Sequence, residues 1–203
     1  DREEEHLSVG NRPSSDQVLR IGAKKDGTIT AIHLVAYGTA GCGTGAGCSG
    51  PAANLYKSGS LHTEENDVCI NAGPASAMRA PGHPQGAFAL EQTMDELAVK
   101  LNMEPLDLRD KTDEHSVRRV ERQIVRESDL WKSRNPVAAA DRGPVKRGVG
   151  FAQSVWYRFV SMGSNAEVRV HKDGSLEVLS AVQDIGSGIR TVMAQILAEQ
   201  FGV

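Results

Sequence analysis

VLRIGAKKDGTITAIHLVAYGTAG, residues 18–41, decides the fold class. Val18 and Ile21 on one side, and Ile29, Ile32, Leu34 and Val35 on the other, lie around the turn signal Lys25-Asp26-Gly27. That arrangement reads as a β-hairpin over residues 17–40. The theme returns at 165–183: Ala166, Val168 and Val170, then Lys172-Asp173-Gly174, then Leu176, Val178 and Leu179. The first hairpin runs on into Gly38-Thr39-Ala40-Gly41 and the second into Ile185-Gly186-Ser187-Gly188. Two such units suggest two related halves made by duplication, with two independent hairpins as the alternative.

Helices flank the hairpins. Pro84 suits a first helical position, and Leu90, Met94, Leu97, Ala98 and Leu101 recur behind it at helical spacing. Ile189, Val192, Met193, Ile196 and Leu197 make a second stripe after Ser187-Gly188. Both stripes are expected in a core. A third helix, about residues 115–132, carries Arg118, Arg119, Glu121, Arg122, Arg126 and Glu127, the composition of a solvated surface helix. Residues 133–147, with Pro136, Gly143 and Pro144, read as a linker, and Gly148 to Val160 as a strand. The predicted fold is α+β: antiparallel hairpins flanked by a few helices, with a first part over 1–132 and a second over 148–203.

Composition narrows the function classes. A net charge of −3 is too small to point to nucleic acid or to an acidic membrane surface. No apolar run approaches the length of a membrane span, and no signal peptide opens the chain. The chain begins at Asp1-Arg2-Glu3-Glu4-Glu5 without Met, which reads as an internal fragment. Cys42, Cys48 and Cys69 lack C-x-x-C spacing and read as three reduced thiols of a cytoplasmic protein. The histidines show no H-E-x-x-H and no close pair in sequence, so no side-chain metal site is expected.

Three stretches can carry chemistry. Gly45-Ala46-Gly47-Cys48-Ser49-Gly50 fits G-x-G-x-x-G after a predicted strand, the pattern that lets a pyrophosphate approach a helix start. Pro51-Ala52-Ala53-Asn54 opens a long helix poorly, so a glycine loop packed against another element is preferred over a nucleotide site. Ala77-Met78-Arg79-Ala80-Pro81-Gly82-His83-Pro84-Gln85 sets an arginine in a Gly/Pro loop before a helix, either as a site or as a turn paired to Glu91 and Asp95. Gln183 to Thr191 ends a strand in Gly186-Ser187-Gly188 and begins a helix, whose backbone N–H groups suit an anion; an ordinary N-cap by Ser187 is the alternative.

Taken in order, these stretches resemble the large subunit of the xanthine dehydrogenase / aldehyde oxidoreductase family of molybdenum hydroxylases. Its A-F-R-G-[FY]-G-x-P-Q loop is similar to Ala77 through Gln85, and its E-x-x-M-[DS]-E-x-A helix to Glu91 through Ala98. Asp107-Leu108-Arg109 and the K-R-G-x-G start at Lys146 to Gly150 follow. The x-D-G-S-x-x-V hairpin and the M-G-Q-G-x-x-T-x-x-x-Q loop-helix resemble Asp173 to Val178 and Ile185 to Gln195.

The resemblance implies a molybdopterin cofactor whose dithiolene, not the protein, holds the metal, and oxidative hydroxylation of an aldehyde or N-heterocycle. Ala77, Met78 and Arg79 would lie beside the cofactor, with Arg79 also catalytic. Gly186, Ser187, Gly188 and Thr191 would hold the cofactor by their backbone. Pro81, Trp156, Tyr157 and Phe159 would line the substrate channel, stacking flat rings. Partners would be the rest of the large subunit and iron–sulfur and FAD domains. The alternative is an interface segment of the same subunit that binds nothing by itself.

Departures from the family pattern matter. Ala80 and Pro81 replace the usual Gly and aromatic, and Ser187 replaces the Gln of G-Q-G. Purine-hydroxylating members carry an arginine about nine residues before the tyrosine matching Tyr56, and that position falls on Gly47. Without that bidentate grip, an aldehyde or a simpler heterocycle is expected rather than xanthine. The family's G-G-x-F-G-G-K and G-E-P-P-like segments, the latter with the general-base glutamate, are expected outside residues 1–203. The fragment alone is expected to be inactive and without cofactor.

Overall fold

Asp26 makes the predicted turn: its carboxylate accepts the Thr28 N–H at 2.9 Å, and Gly27 takes φ +90°. The computed structural model describes all residues except 44, 46, 138, 139, 141 and 158–161, and the side chain of His6 also lies outside it. The chain divides into two units, Asp1–Trp156 and Tyr157–Val203. The first contains α1 (Arg2–Ser8), β1 (Ser15–Ala23), β2 (Ile29–Gly41), α2 (Gly50–Asn54) and β3 (Leu61–Cys69). It continues with α3 (His83–Leu101), α4 (Pro105–Thr112), α5 (Ser116–Glu127) and α6 (Asp129–Lys132).

β1 and β2 form the expected antiparallel hairpin, with Val18 opposite Val35 and Ile21 opposite Ile32. A third strand was not foreseen. β3 pairs with β2 in parallel, Ile32 beside Leu61 and Thr39 beside Val68, so the sheet order is β1-β2-β3. A parallel neighbour cannot be reached by a tight turn, and the stretch holding the glycine loop and α2 makes the crossover.

One sheet face carries Ile32, Leu34 and Ala36, all buried, and α3 lays Leu90, Met94 and Ala98 against them. Pro84 stands in the first turn of α3, and Asn102 in the left-handed region, φ +51°, ends it. The predicted α3 stripe is thus the core. α5 is the solvated surface helix expected of it, except at one residue. Arg122 is fully buried, while Val117, Val120 and Ile124 are more than half exposed. The cause is α4, which offers Asp110 and, at its C-cap, Asp113. Arg122 takes Asp110 at 2.6 Å, Asp113 at 2.7 Å and the Gln153 amide oxygen at 3.0 Å.

No strand forms over 148–157, contrary to expectation; residues 158–160 lie outside the described ones. Side chains rather than a neighbouring strand bind this backbone. The Gln153 N–H donates to Glu91 at 2.8 Å, and the Phe151 carbonyl accepts from Arg109 at 3.4 Å.

The second unit contains β4 (Ala166–Val170), β5 (Leu176–Ser180) and α7 (Ile189–Phe201). β4 and β5 form the second hairpin, Val168 opposite Val178, with Gly174 at φ +85° in its turn. The α7 stripe is not a core within this unit, because none of the unit's described residues is buried. Met193, Ile196 and Phe201 instead line an open groove with Val168 and Val178.

Candidate functional site

The loop before α3 is held from beneath by a residue that sequence reasoning passed over. The Arg12 guanidinium donates to the carbonyl oxygens of Met78, Arg79 at 2.7 Å and Ala80 at 3.4 Å. Gln85 ties the same region down, donating to the Pro13 carbonyl at 2.9 Å and accepting from the Gln17 amide through its own carbonyl at 3.0 Å. With its carbonyls gathered on Arg12, the loop leaves Ala77, Met78 and Arg79 exposed. The turn is tight enough to set Arg79 at φ +23° and Ala80 at φ +56°.

An L-residue in that region costs roughly 1–2 kcal/mol. Ala80 occupies the position where the resembled loop carries glycine. Ala80→Gly should therefore stabilise the first unit by about 0.5–1 kcal/mol, the relieved strain less the entropy glycine adds to the unfolded chain. Urea titration read by tryptophan fluorescence checks this, and a destabilised variant would contradict it.

The glycine loop packs directly under this region. A Cβ on Gly82 would stand 1.6 Å from the Gly47 carbonyl oxygen, and one on Gly86 2.0 Å from that of Cys48. The Ser49 N–H donates to Glu65, and the Gly45 N–H to Asp67 at 2.9 Å. A short helix, α2, does follow Gly50 directly, but it has five residues. A phosphate seated there would meet two carboxylates already holding the loop's donors. Burial pushes the Cys48 thiol up to about 11, while Cys42 and Cys69 are exposed.

Trp156 reaches the same end of α3. Its ring meets His83 edge-on, with centroids 4.7 Å apart at 84°, and remains 38% exposed. Pro81 is half-buried beside His83. Tyr157 is exposed and belongs to the second unit, and Phe159 lies outside the described residues.

In the second unit, Gly186 takes φ +97° and Gly188 φ +75°. The N-cap of α7 is Gly188, not Ser187, and no side chain caps it. Asp184 accepts from the N–H groups of Gly186 at 2.9 Å and Gly188 at 3.1 Å, and these bonds lower its pKa. Ser187 and Thr191 are both exposed.

Between α3 and α4 lies a buried ionic cluster that the sequence reading did not assemble. Arg109, fully buried, pairs with Glu91 at 2.9 Å and with Asp95 at 2.8 Å. Glu91 also accepts from the Tyr56 hydroxyl and from the Gln153 N–H. Burial raises the Glu91 carboxyl against the pull of Arg109 and these donors. Burial and the Glu91 charge push Tyr56 far above its ordinary range, so its hydroxyl stays protonated and donates. Glu91 and Asp95, read as possible braces for Arg79, are engaged by Arg109.

Comparison with known proteins gives this arrangement a context. Residues 1–112 match the family model of a molybdopterin cofactor-binding domain, and residues 123–203 match a second model of the same description. The chain is 33% identical over 210 residues to the aldehyde oxidoreductase molybdenum-binding subunit PaoC of Escherichia coli strain K12, covering 95% of this chain and 28% of that protein. It is 26% identical over 227 residues to the xanthine dehydrogenase molybdenum-binding subunit of Escherichia coli O157:H7, covering 100% and 30%. The solved quinoline 2-oxidoreductase from Pseudomonas putida 86 shares the fold, with a TM-score of 0.63 at 16% identity over 98% of this chain and 30% of that one. The chain thus spans less than a third of the length of these relatives.

Proposed function

Because the chain belongs to the family of molybdopterin cofactor-binding domains, we propose that it supplies cofactor and substrate contacts to a molybdenum hydroxylase acting on an aldehyde or simple N-heterocycle. The observation that carries this reading is the exposed 77–79 loop. Arg12 fixes its backbone, and Trp156 stands on His83 at its far end. When bound, the cofactor supplies the two-electron oxidation of an electron-poor carbon, and its electrons leave through iron–sulfur and FAD domains of the parent enzyme.

The chain's own residues do the holding. Ala77, Met78 and Arg79 present a short fixed edge to the cofactor, and Arg79 offers a forked donor to a substrate oxygen. The first turn of α7 offers backbone N–H groups and open space to an anionic group, since no side chain caps it and a Cβ on Gly188 would meet nothing within 4 Å. The Asp184 carboxylate on the loop before it opposes the negative charge. Asp184 already takes the N–H groups of Gly186, Ser187 and Gly188, so the grip falls to the Ser187 hydroxyl and to the first turn of α7 through Thr191. Pro81 and Trp156 offer apolar surface to the substrate. Gly47 supports a substrate other than xanthine. It carries no side chain to grip a purine oxygen, as the forked arginine of purine-hydroxylating members does.

One observation favours a second reading, an interface segment of the same subunit. The second unit buries none of its described residues and leaves an apolar groove open. A single experiment separates the two readings. In the full-length parent, exchanging Gly188 for Val should lower molybdenum content measured by elemental analysis, while an interface role leaves it unchanged. The isolated 203-residue chain should neither oxidise aldehydes nor retain stoichiometric molybdenum, since a general base alone contributes about 10²–10⁴-fold and neither family segment named above occurs in it. Turnover by that chain would overturn this assignment of parts.

A further inference from the structure

The outer face of the three-stranded sheet carries a pair of imidazoles that the cofactor reading does not use. Residues along a strand alternate between faces, and Ile32, Leu34 and Ala36 are buried against α3. His33 therefore projects to the opposite face. The parallel register sets it beside His62 of β3. The rings lie with centroids 5.1 Å apart and tilted by 43°. His62 is exposed and His33 half-buried, so the pair is open to solvent.

We infer that His33 and His62 form a two-imidazole site for a borderline divalent transition metal such as Zn²⁺, Ni²⁺ or Cu²⁺. Two metal–nitrogen bonds of about 2.1 Å meeting at a tetrahedral angle place their ring centroids roughly 5 Å apart. The observed separation meets that requirement. Imidazole selects these ions over Mg²⁺ and Ca²⁺, which want oxygen ligands. Among the described residues no three His, Cys, Asp or Glu side chains gather as a ligand set, so water completes the shell and the ion exchanges readily.

The flanking charges offset one another. Arg20 is the β1 neighbour of His33, and Glu64 follows His62 by two residues on the same face, bonded to the Asn66 amide at 3.1 Å. An ion held here would span β2 and β3, cross-linking the parallel pair that the crossover makes.

The test uses the chain with Cys42→Ser and Cys69→Ser, which remove the two exposed thiols that compete for soft metals. Titration with NiSO₄ and CuSO₄ by calorimetry should show one ion per chain, and Cu²⁺ electron paramagnetic resonance should show coupling to two nitrogens. Zn²⁺ should raise the melting temperature, and MgCl₂ should not. Both the uptake and the rise should be lost in His33→Asn and in His62→Asn. Uptake that persists in both variants, through His115 or His171 for example, overturns the assignment, as does a parent chain that takes up no metal.

Discussion

Glu91→Ala should cost the first unit about 3–5 kcal/mol, the usual penalty for leaving a buried charge without its partner. Arg109 is fully buried, and its remaining anion, Asp95, is partly exposed to water. The loss is wider than one ion pair, because the Tyr56 hydroxyl and the Gln153 N–H lose their acceptor too. Domains are stable by about 5–15 kcal/mol, so this change removes a large share of the margin. Replacing both partners, Glu91→Leu with Arg109→Met, should recover the part of the loss that comes from the unpaired charge, while Tyr56 and Gln153 still lack their acceptor. Trp131 and Trp156 both lie in the first unit, so urea unfolding followed by fluorescence reads it selectively. A double variant as unstable as the sum of the two single ones would show that the ionic cluster is not the source of the stability.

Arg79→Ala in the full-length parent should lower turnover per bound molybdenum by about 10²–10³, the usual cost of removing one donor that stabilises developing negative charge. The rival role for Arg79 was a brace to Glu91 or Asp95. Arg109 engages both carboxylates, and Arg12 holds the loop through its backbone carbonyls. If the role of Arg79 is electrostatic, the variant should fold and keep its molybdenum. Arg79→Lys should recover a little activity, since an ammonium restores the charge but not the fork. Unchanged turnover per molybdenum in Arg79→Ala would end the catalytic assignment. A fall in molybdenum content with normal turnover per metal would make the residue a cofactor contact alone.

What the sequence discloses depends on how the burial is achieved. The hairpins and α3 were legible because one apolar face and a glycine turn mark each of them locally. β3 was not: LHTEENDVC has no apolar alternation, and every residue of it is exposed or only half-buried. It is a strand only because β2 offers it a ladder. Arg122 misled because arginine on an amphipathic helix ordinarily faces water, and nothing in the sequence of α5 says that Asp110 and Asp113 wait beneath it. Arg79 was singled out as a candidate by resemblance rather than by spacing. The Arg12 clamp joins residues 67 apart in the chain, and a single arginine in a Gly/Pro-rich stretch gives no local sign of such a partner. The α7 stripe is real, but the apolar faces of its unit are not closed over by the unit itself.

The parallel pairing of β2 with β3 also fixes an order of assembly. β1 and β2 meet across a turn of a few residues, and a hairpin of that kind closes in about 1–10 μs. β3 can find its register only after the glycine loop and α2 have brought the chain back across the sheet, a closure whose entropy must be met before any ladder bond forms. The strand from which the chain runs on into the Arg79 loop is thus the last of the sheet to arrive. Its amide protons should exchange with solvent before those of β1 and β2, with the sheet opening from the β3 side.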